Sequence, residues 1–121
     1  MIKELSTKEF KKEIWDFDKN KEWNYIGNKP MILEFMAIWC QPCKVIVPIL
    51  EELSNEYEGK INIFKINVEE AYEVANTFGI QSIPAILFVP IDEKPQMLLG
   101  ALPKEMFVKA IEEFLKIKND N

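Results

Sequence analysis

Two cysteines spaced three positions apart are the side chains in this sequence best suited to chemistry. Cys40 and Cys43 are the only cysteines in the chain, and Gln41 and Pro42 separate them. An apolar run at residues 31–38 precedes the pair, and a pattern of helical period follows it. A C-x-x-C pair between a predicted strand and a predicted helix is typical of thiol redox chemistry.

The predicted start of the helix explains why the first cysteine would react. Its unpaired backbone N–H groups and the positive end of the helix dipole favour a thiolate over a thiol. The thiolate is the nucleophile in disulfide exchange. Residues three apart on a helix share a face, with Cβ atoms roughly 5–6 Å apart, so a modest adjustment lets Cys40 and Cys43 close a disulfide. The spacing therefore provides an attacking thiolate and a resolving thiol.

Three other interpretations of the pair stay open. Free cysteine is often an inert core residue, but that role explains neither the spacing nor the helix start. A purely structural disulfide would stabilise little, because so short a loop loses little entropy on closure. Zinc needs about four ligands, and the chain has no histidine, so one subunit would need carboxylates or a second subunit would have to share the metal. We predict no metal, and the lack of histidine also excludes Cys-His proteases and most metalloenzymes.

Length and composition indicate one globular domain. The chain has 121 residues, of which 48% are hydrophobic and 29% are charged, so we predict a single domain over residues 1–121. A net charge of −5 argues against nucleic acid and anionic membranes as partners, and no apolar stretch is long enough for a membrane helix. The first residues lack the apolar core of a signal peptide, which predicts a cytoplasmic protein. The alternative is an exported or periplasmic protein, if Met1 follows a removed signal peptide.

Apolar periodicity predicts alternating strands and helices. Ser6 and Glu9 have the spacing of a capping box, so a helix should begin near Thr7. The nearly all-apolar strand before the cysteines should lie in the centre of a sheet. The further predictions are helices over 41–57, 71–78 and 103–117, and strands over 61–68, 85–89 and 95–99, the last antiparallel to its predecessor. This order indicates an α/β fold with a mixed sheet and helices on both faces.

The segment from Asp18 to Pro30 breaks this periodicity and is predicted to be a long loop. It carries Trp23 and Tyr25. We favour an interpretation in which these two aromatic side chains cover an edge of the core, with contact to a partner as the alternative.

Several separate motifs resemble one known family. Residues 34–40, Glu-Phe-Met-Ala-Ile-Trp-Cys, are similar to the strand that enters the thioredoxin active site, and residues 40–44, Cys-Gln-Pro-Cys-Lys, are similar to its Cys-Gly-Pro-Cys-Lys. Pro48 resembles the helix-kinking proline of that family, Ile83-Pro84 its cis-proline, and Gly100-Ala101 the glycine loop beside its active site. The sequence thus resembles the thioredoxin family over nearly its whole length, which implies the thioredoxin fold.

The resemblance also implies a surface that binds substrate. The family places its cis-proline against the disulfide, where the backbone before the proline pairs with an extended segment of substrate. We therefore expect Ile83 to pair with substrate in this way. The residues predicted to form the substrate-binding surface are Trp39, Pro42, Ile83, Pro84, Gly100 and Ala101. For Trp39 a place in the core is the competing interpretation, and for Pro42 it is ordinary first-turn chemistry, since the first turn tolerates a missing N–H.

Glu34 is the polar exception in the apolar strand. A buried carboxylate is unfavourable unless it is paired, and burial should raise the pKa of Glu34 towards neutrality. A carboxyl group with such a pKa suits a general base for Cys43. The resemblance implies the same role, although the family usually has Asp here. Lys65 aligns with the lysine that accompanies this acid, so it is predicted to pair with Glu34; a solvated strand lysine is the alternative.

Two further departures from the family lie at the site. Gln41 replaces the usual Gly between the cysteines, and the residues there tune thiolate stability and hence the reduction potential. Met36 replaces a Trp that is common in the family, so the packing behind the site should differ.

The prediction for function is a protein-disulfide reductase that acts through Cys40 and Cys43 on disulfide-containing proteins. It should need no bound cofactor and act as a monomer. The resemblance implies electrons from a thioredoxin reductase-type donor that uses NADPH, which this chain does not itself bind. One alternative keeps the fold but reverses the direction, as an exported disulfide oxidase or isomerase. Another is a non-catalytic docking module with the same fold.

Overall fold

A mixed five-stranded sheet forms the centre of the computed structural model, which describes residues 2–119. The strands are β1 (Lys3–Glu4), β2 (Met31–Met36), β3 (Asn62–Asn67), β4 (Ala85–Val89) and β5 (Gln96–Leu99). They lie in the order β1-β3-β2-β4-β5. The first three strands are parallel, β4 is antiparallel to β2, and β5 is antiparallel to β4. Strand β2, which leads to the cysteines, is therefore central, as the sequence predicts.

Helices pack on both faces of this sheet. They are α1 (Thr7–Glu13), α2 (Gln41–Val45), α3 (Val47–Glu56), α4 (Tyr72–Thr77) and α5 (Lys104–Ala110), and a π-helical turn (Ile111–Leu115) follows α5. One core cluster joins the sheet to Phe10 of α1 and Val74 of α4. A second joins it to Leu50 of α3 and Phe107 of α5. The predicted fold class, a thioredoxin-type mixed sheet between helices, is confirmed.

The long predicted helix after the cysteines is broken in the structure. Helix α2 ends at Val45 and α3 begins at Val47, with Ile46 as the cap residue between them, and Pro48 lies in the first turn of α3. We predicted a kink at Pro48 within one helix. Pro48 suits this break, because proline lacks the N–H that a continuous helix would require, whereas the first turn of a new helix does not need it.

The last helix also differs from its prediction. Regular α-helix ends at Ala110, and the chain continues as the π-helical turn to Leu115. Lys116 then adopts a left-handed backbone, with φ at 61°, and ends the helical segment in the manner of a left-handed C-terminal cap.

Aromatic side chains of the loop before β2 cover an edge of the core. The Trp23 ring lies 5.2 Å from that of Trp15 and stacks on that of Tyr25 at 6.3 Å, and both loop side chains pack against the first core cluster. The core-edge interpretation is thus confirmed. Glycine at position 27 leaves room for the Tyr25 side chain, with which a Cβ there would collide unless the ring moved.

The predicted capping box begins α1. The Ser6 Oγ accepts a hydrogen bond from the Glu9 N–H at 3.1 Å, and the Ser6 N–H donates to Glu9 Oε1 at 3.0 Å. Replacing Ser6 by Ala should lower the free energy of unfolding by about 1 kcal/mol, because a backbone donor loses its partner. Urea titration of Ser6→Ala beside Ser6→Thr, which keeps the hydroxyl, measures this. An equal loss in both variants would mean that the hydroxyl is not responsible.

No helix within residues 2–119 has the length and apolar character required to cross a bilayer.

Candidate active site

The two cysteines lie where β2 turns into α2. Cys40 is the N-cap residue of α2, and it forms a disulfide with Cys43 across a Cα–Cα distance of 5.3 Å. The Cys43 backbone N–H donates a hydrogen bond to Cys40 Sγ at 3.2 Å. This is the contact that the helix start predicts. In the reduced protein the same donor favours the thiolate of Cys40, because hydrogen bonds to the charged form stabilise that form.

Both sulfur atoms lie beneath an apolar surface. The residues Cys40 and Cys43 are only 4% and 2% exposed, whereas Trp39 is 64% exposed. Proline 42, in the first turn of α2, is also exposed. The exposure of Trp39 excludes a core role for this side chain. A protein that approaches the disulfide would therefore meet an exposed indole beside Cys40.

The Ile83-Pro84 peptide bond is cis, as the resemblance implies. Ile83 packs against the cluster that contains both cysteines. The Gly100 N–H donates a hydrogen bond to the Pro84 carbonyl at 2.8 Å. Gly100 has a φ of 95°, a conformation that side chains rarely adopt, and Ala101 beside it is exposed. The structure thus brings the predicted proline and glycine loops together.

Glu34 is a buried carboxyl group without a protein partner for one oxygen. The residue is 1% exposed, and its Oε2 forms no hydrogen bond. Burial raises the pKa of Glu34 to about 7, and the positive charge of Lys65 limits this rise. A carboxyl group with this pKa exchanges a proton readily near neutrality, which is the property that a general base requires.

Lys65 lies directly opposite Glu34 in the register of β3 with β2. Its residue is half-buried, and among the residues that the structure describes the two side chains form no ion pair. The predicted pairing is therefore an electrostatic influence across the sheet and not a direct contact. This leaves Glu34 with its raised pKa, because a close cation would favour the charged form more strongly.

Glu34 and Cys43 line a common surface pocket of about 250 Å³. The residues that line it are Glu34, Met36, Ala37, Ile38, Cys43 and Lys44. Two larger pockets, of about 370 Å³ each, contain neither cysteine. Chemistry and not size identifies the functional pocket.

The disulfide has a neighbour that the sequence motifs do not indicate. Val68 follows β3 and packs against the cluster of Ala37, Cys40 and Cys43. Its backbone N–H donates to the Met36 carbonyl at 2.9 Å. Its position, just past the end of a strand parallel to β2, is the signal that would have indicated it.

No cluster of three or more potential metal-ligating His, Cys, Asp or Glu side chains occurs in the described part of the chain. The cysteines are joined to each other, and Glu34, the acid that lines a pocket with Cys43, is buried.

The C-x-x-C disulfide lies at a helix start and packs against Ile83, the residue that precedes the cis-proline. This arrangement defines a thiol–disulfide oxidoreductase. The family model described as Thioredoxin matches residues 1–113, and the chain belongs to the thioredoxin family. It is 37% identical to the thioredoxin of Borreliella burgdorferi over 110 residues, and this aligned region is 91% of this chain and 94% of that protein.

Two further relatives agree with this assignment. A thioredoxin of Chlorobaculum thiosulfatiphilum is 38% identical over 112 residues, which are 93% of this chain and 94% of that protein. A chloroplastic M-type thioredoxin of Spinacia oleracea is 39% identical over 106 residues, which are 86% of this chain and 59% of that protein. The protein is thus a disulfide reductase that acts on disulfide-containing proteins and takes electrons from a reductase donor.

Proposed function

We propose that the Cys40–Cys43 dithiol reduces disulfides of other proteins in two successive exchanges. The Cys40 thiolate attacks one substrate sulfur, the substrate disulfide breaks, and a mixed disulfide forms while the other substrate sulfur leaves as a thiolate. Cys43 then loses its proton and attacks Cys40 Sγ, which releases the second substrate thiolate. The substrate gains two electrons, and the pair becomes the disulfide. The observation that carries this proposal is the Cys43 N–H at 3.2 Å from Cys40 Sγ.

Glu34 is the base that we assign to the second exchange. It lines the same pocket as Cys43, and its pKa of about 7 leaves much of the group ionised and able to accept a proton at neutral pH. The Oε2 atom without a partner is available for that proton. Lys65 acts on this step through its charge alone.

Substrate binding is proposed for the surface around Trp39, Pro42 and Ala101. Within residues 2–119, neither the N–H nor the carbonyl of Ile83 forms a backbone hydrogen bond. Both groups are therefore available to an extended substrate segment, which would add to the backbone as a short strand. Pro84 fixes the direction of this segment, and Gly100 leaves it space to approach.

The remaining assignments follow from the chemistry. Exchange moves electrons from sulfur to sulfur, so we infer that no bound cofactor is required. We also infer that a thioredoxin reductase-type protein using NADPH reduces the Cys40–Cys43 disulfide back to the dithiol. A reductase works in a reducing compartment, which supports the cytoplasm. The chain's own helices cover both faces of the sheet, which supports a monomer. The net charge of −5 supports neither nucleic acid nor an anionic membrane as a partner.

The reduction potential of the Cys40–Cys43 couple tests the direction of the reaction. Equilibration in defined mixtures of reduced and oxidised thiol, followed by mass analysis of the trapped states, should give a value near or below about −250 mV. A value above about −190 mV would instead indicate an oxidase or isomerase. Absence of a reversible disulfide between these residues would contradict both and favour a docking module.

A further inference from the structure

Met36 lies in the wall of the pocket that also contains the buried acid and the resolving cysteine. It is the last residue of β2, two positions after Glu34, so both side chains lie on the same side of the strand. It lines the pocket with Glu34 and Cys43 and packs against the cysteine cluster. Its residue is half-buried, so it contacts both the core and the pocket.

The size of this pocket matters for the acid. A volume of about 250 Å³ exceeds the roughly 30 Å³ that one water occupies in the liquid several times over. Glu34 Oε2, without a protein partner, needs water or a proton to satisfy it. Methionine is flexible and adapts to irregular gaps, and its side chain is smaller than an indole ring, so it occupies less of the pocket.

We propose that Met36 is a positioning residue that keeps the pocket beside Glu34 open to water and so sets the pH range in which Cys43 can resolve the mixed disulfide. The proposal rests on the proposed function of Glu34 as the base. It assigns to Met36 no contact with substrate and no proton transfer. Its effect reaches Cys43 through the solvation of the acid.

The groups around Glu34 are few. Lys65 of β3 lies opposite it, and Cys43 and Lys44 of α2 line the same pocket. On the other side, Ile86 of β4 is its apolar register partner, and α3 and α5 place an apolar cluster against this face of the sheet. Solvation through the pocket is therefore the main variable that a change at Met36 can alter without changing a charge.

A larger and a smaller side chain at position 36 should shift the pH midpoint of product release in opposite directions. The larger ring of Met36→Trp should exclude water, disfavour the carboxylate and move the midpoint of the pH profile for product release upward. A shift of about one unit makes release about fivefold slower at pH 7, since fewer molecules carry the ionised base. Met36→Ala should admit more water and move the midpoint downward. Met36→Leu, similar in volume, should keep the midpoint of the unmodified protein.

Single-turnover rapid-quench experiments measure this directly. The reduced protein is mixed with a peptide disulfide over a series of pH values, and mixed disulfide and released peptide thiol are counted separately. The first exchange serves as an internal standard, because it does not involve Glu34. Met106→Ala, a change to an exposed methionine of α5, is the matched control and should leave the profile unchanged.

Glu34→Gln separates failure of this proposal from failure of the proposed function. If Glu34→Gln removes the pH midpoint of release while the Trp and Ala variants keep it or shift it in one common direction, the role of Met36 is refuted and the base stands. If Glu34→Gln releases product at the normal rate and midpoint, the base assignment itself falls. Opposite shifts in the Trp and Ala variants that disappear in the Glu34→Gln background support both.

Discussion

A Cys43→Ser variant is expected to accumulate a stable mixed disulfide with its protein substrates. Cys40 would still attack, because its thiolate depends on the start of α2 and on the backbone N–H of residue 43, which serine retains. Release would then require an external thiol. Loss of the intramolecular thiol should reduce turnover at least about 10³-fold, since effective concentrations within a molecule far exceed those of dissolved thiols. Non-reducing electrophoresis with mass spectrometry, before and after a reductant, measures the adduct.

Cys40→Ser is the matched control for this experiment. The chain has two cysteines, so any adduct of Cys43→Ser must form through Cys40. The control leaves only the thiol of Cys43, whereas the hydrogen bond that favours a thiolate goes to the sulfur of residue 40, so we expect neither turnover nor an adduct. Normal turnover by Cys43→Ser would contradict the resolving role.

The same two variants also test the docking-module alternative. A docking module would bind its partners as well after Cys40→Ser as before, because no covalent step is involved. A reductase would lose the ability to form a covalent adduct with its substrates. Comparing noncovalent binding with adduct formation for one substrate therefore separates recognition by the surface around Trp39 from chemistry at the disulfide.

Strands β2 to β5 were predictable because burial of apolar residues leaves a simple trace in the sequence, whereas β1 was not predicted, since it consists of two exposed residues, Lys3 and Glu4. Residues 85–89 are an unbroken apolar run ended by Pro90, and β4 has these same bounds. A central strand excludes polar residues from both faces, so its pattern does not depend on distant parts of the chain. Glu34 was conspicuous for the same reason, and its burial and raised pKa follow from its position in such a strand.

Other features depend on contacts that no local pattern contains. A proline within a helical pattern signals a disturbance, but only packing decides between a kink and the break seen at Ile46. Lys65 lies opposite Glu34 because of the register between β3 and β2, which is a contact between distant segments. The cis bond before Pro84 came from resemblance to a family, because X-Pro bonds in general are mostly trans.

Glu34→Gln is expected to stabilise the oxidised protein at neutral and alkaline pH. The pKa of Glu34 rises from 4.5 to about 7 on folding, so between these values the native state binds more protons than the unfolded state. Stability therefore falls as the pH rises through this window and stays lower above it. At about 1.4 kcal/mol per pKa unit, the carboxylate destabilises the native state by about 3 kcal/mol above pH 7.

Denaturant titrations of the oxidised protein at several pH values measure this difference, and the disulfide keeps the cysteines from titrating. Glu34→Gln should match the unmodified protein near pH 4 and exceed it increasingly up to about pH 8. Glu58→Gln, which removes an exposed acid, should reproduce the pH dependence of the unmodified protein. If Glu34→Gln and the unmodified protein were equally stable at every pH, Glu34 would not be the group that destabilises the fold. A gain in stability together with slow product release would instead explain the carboxyl group in this strand, since residues that weaken a fold are expected where function requires them.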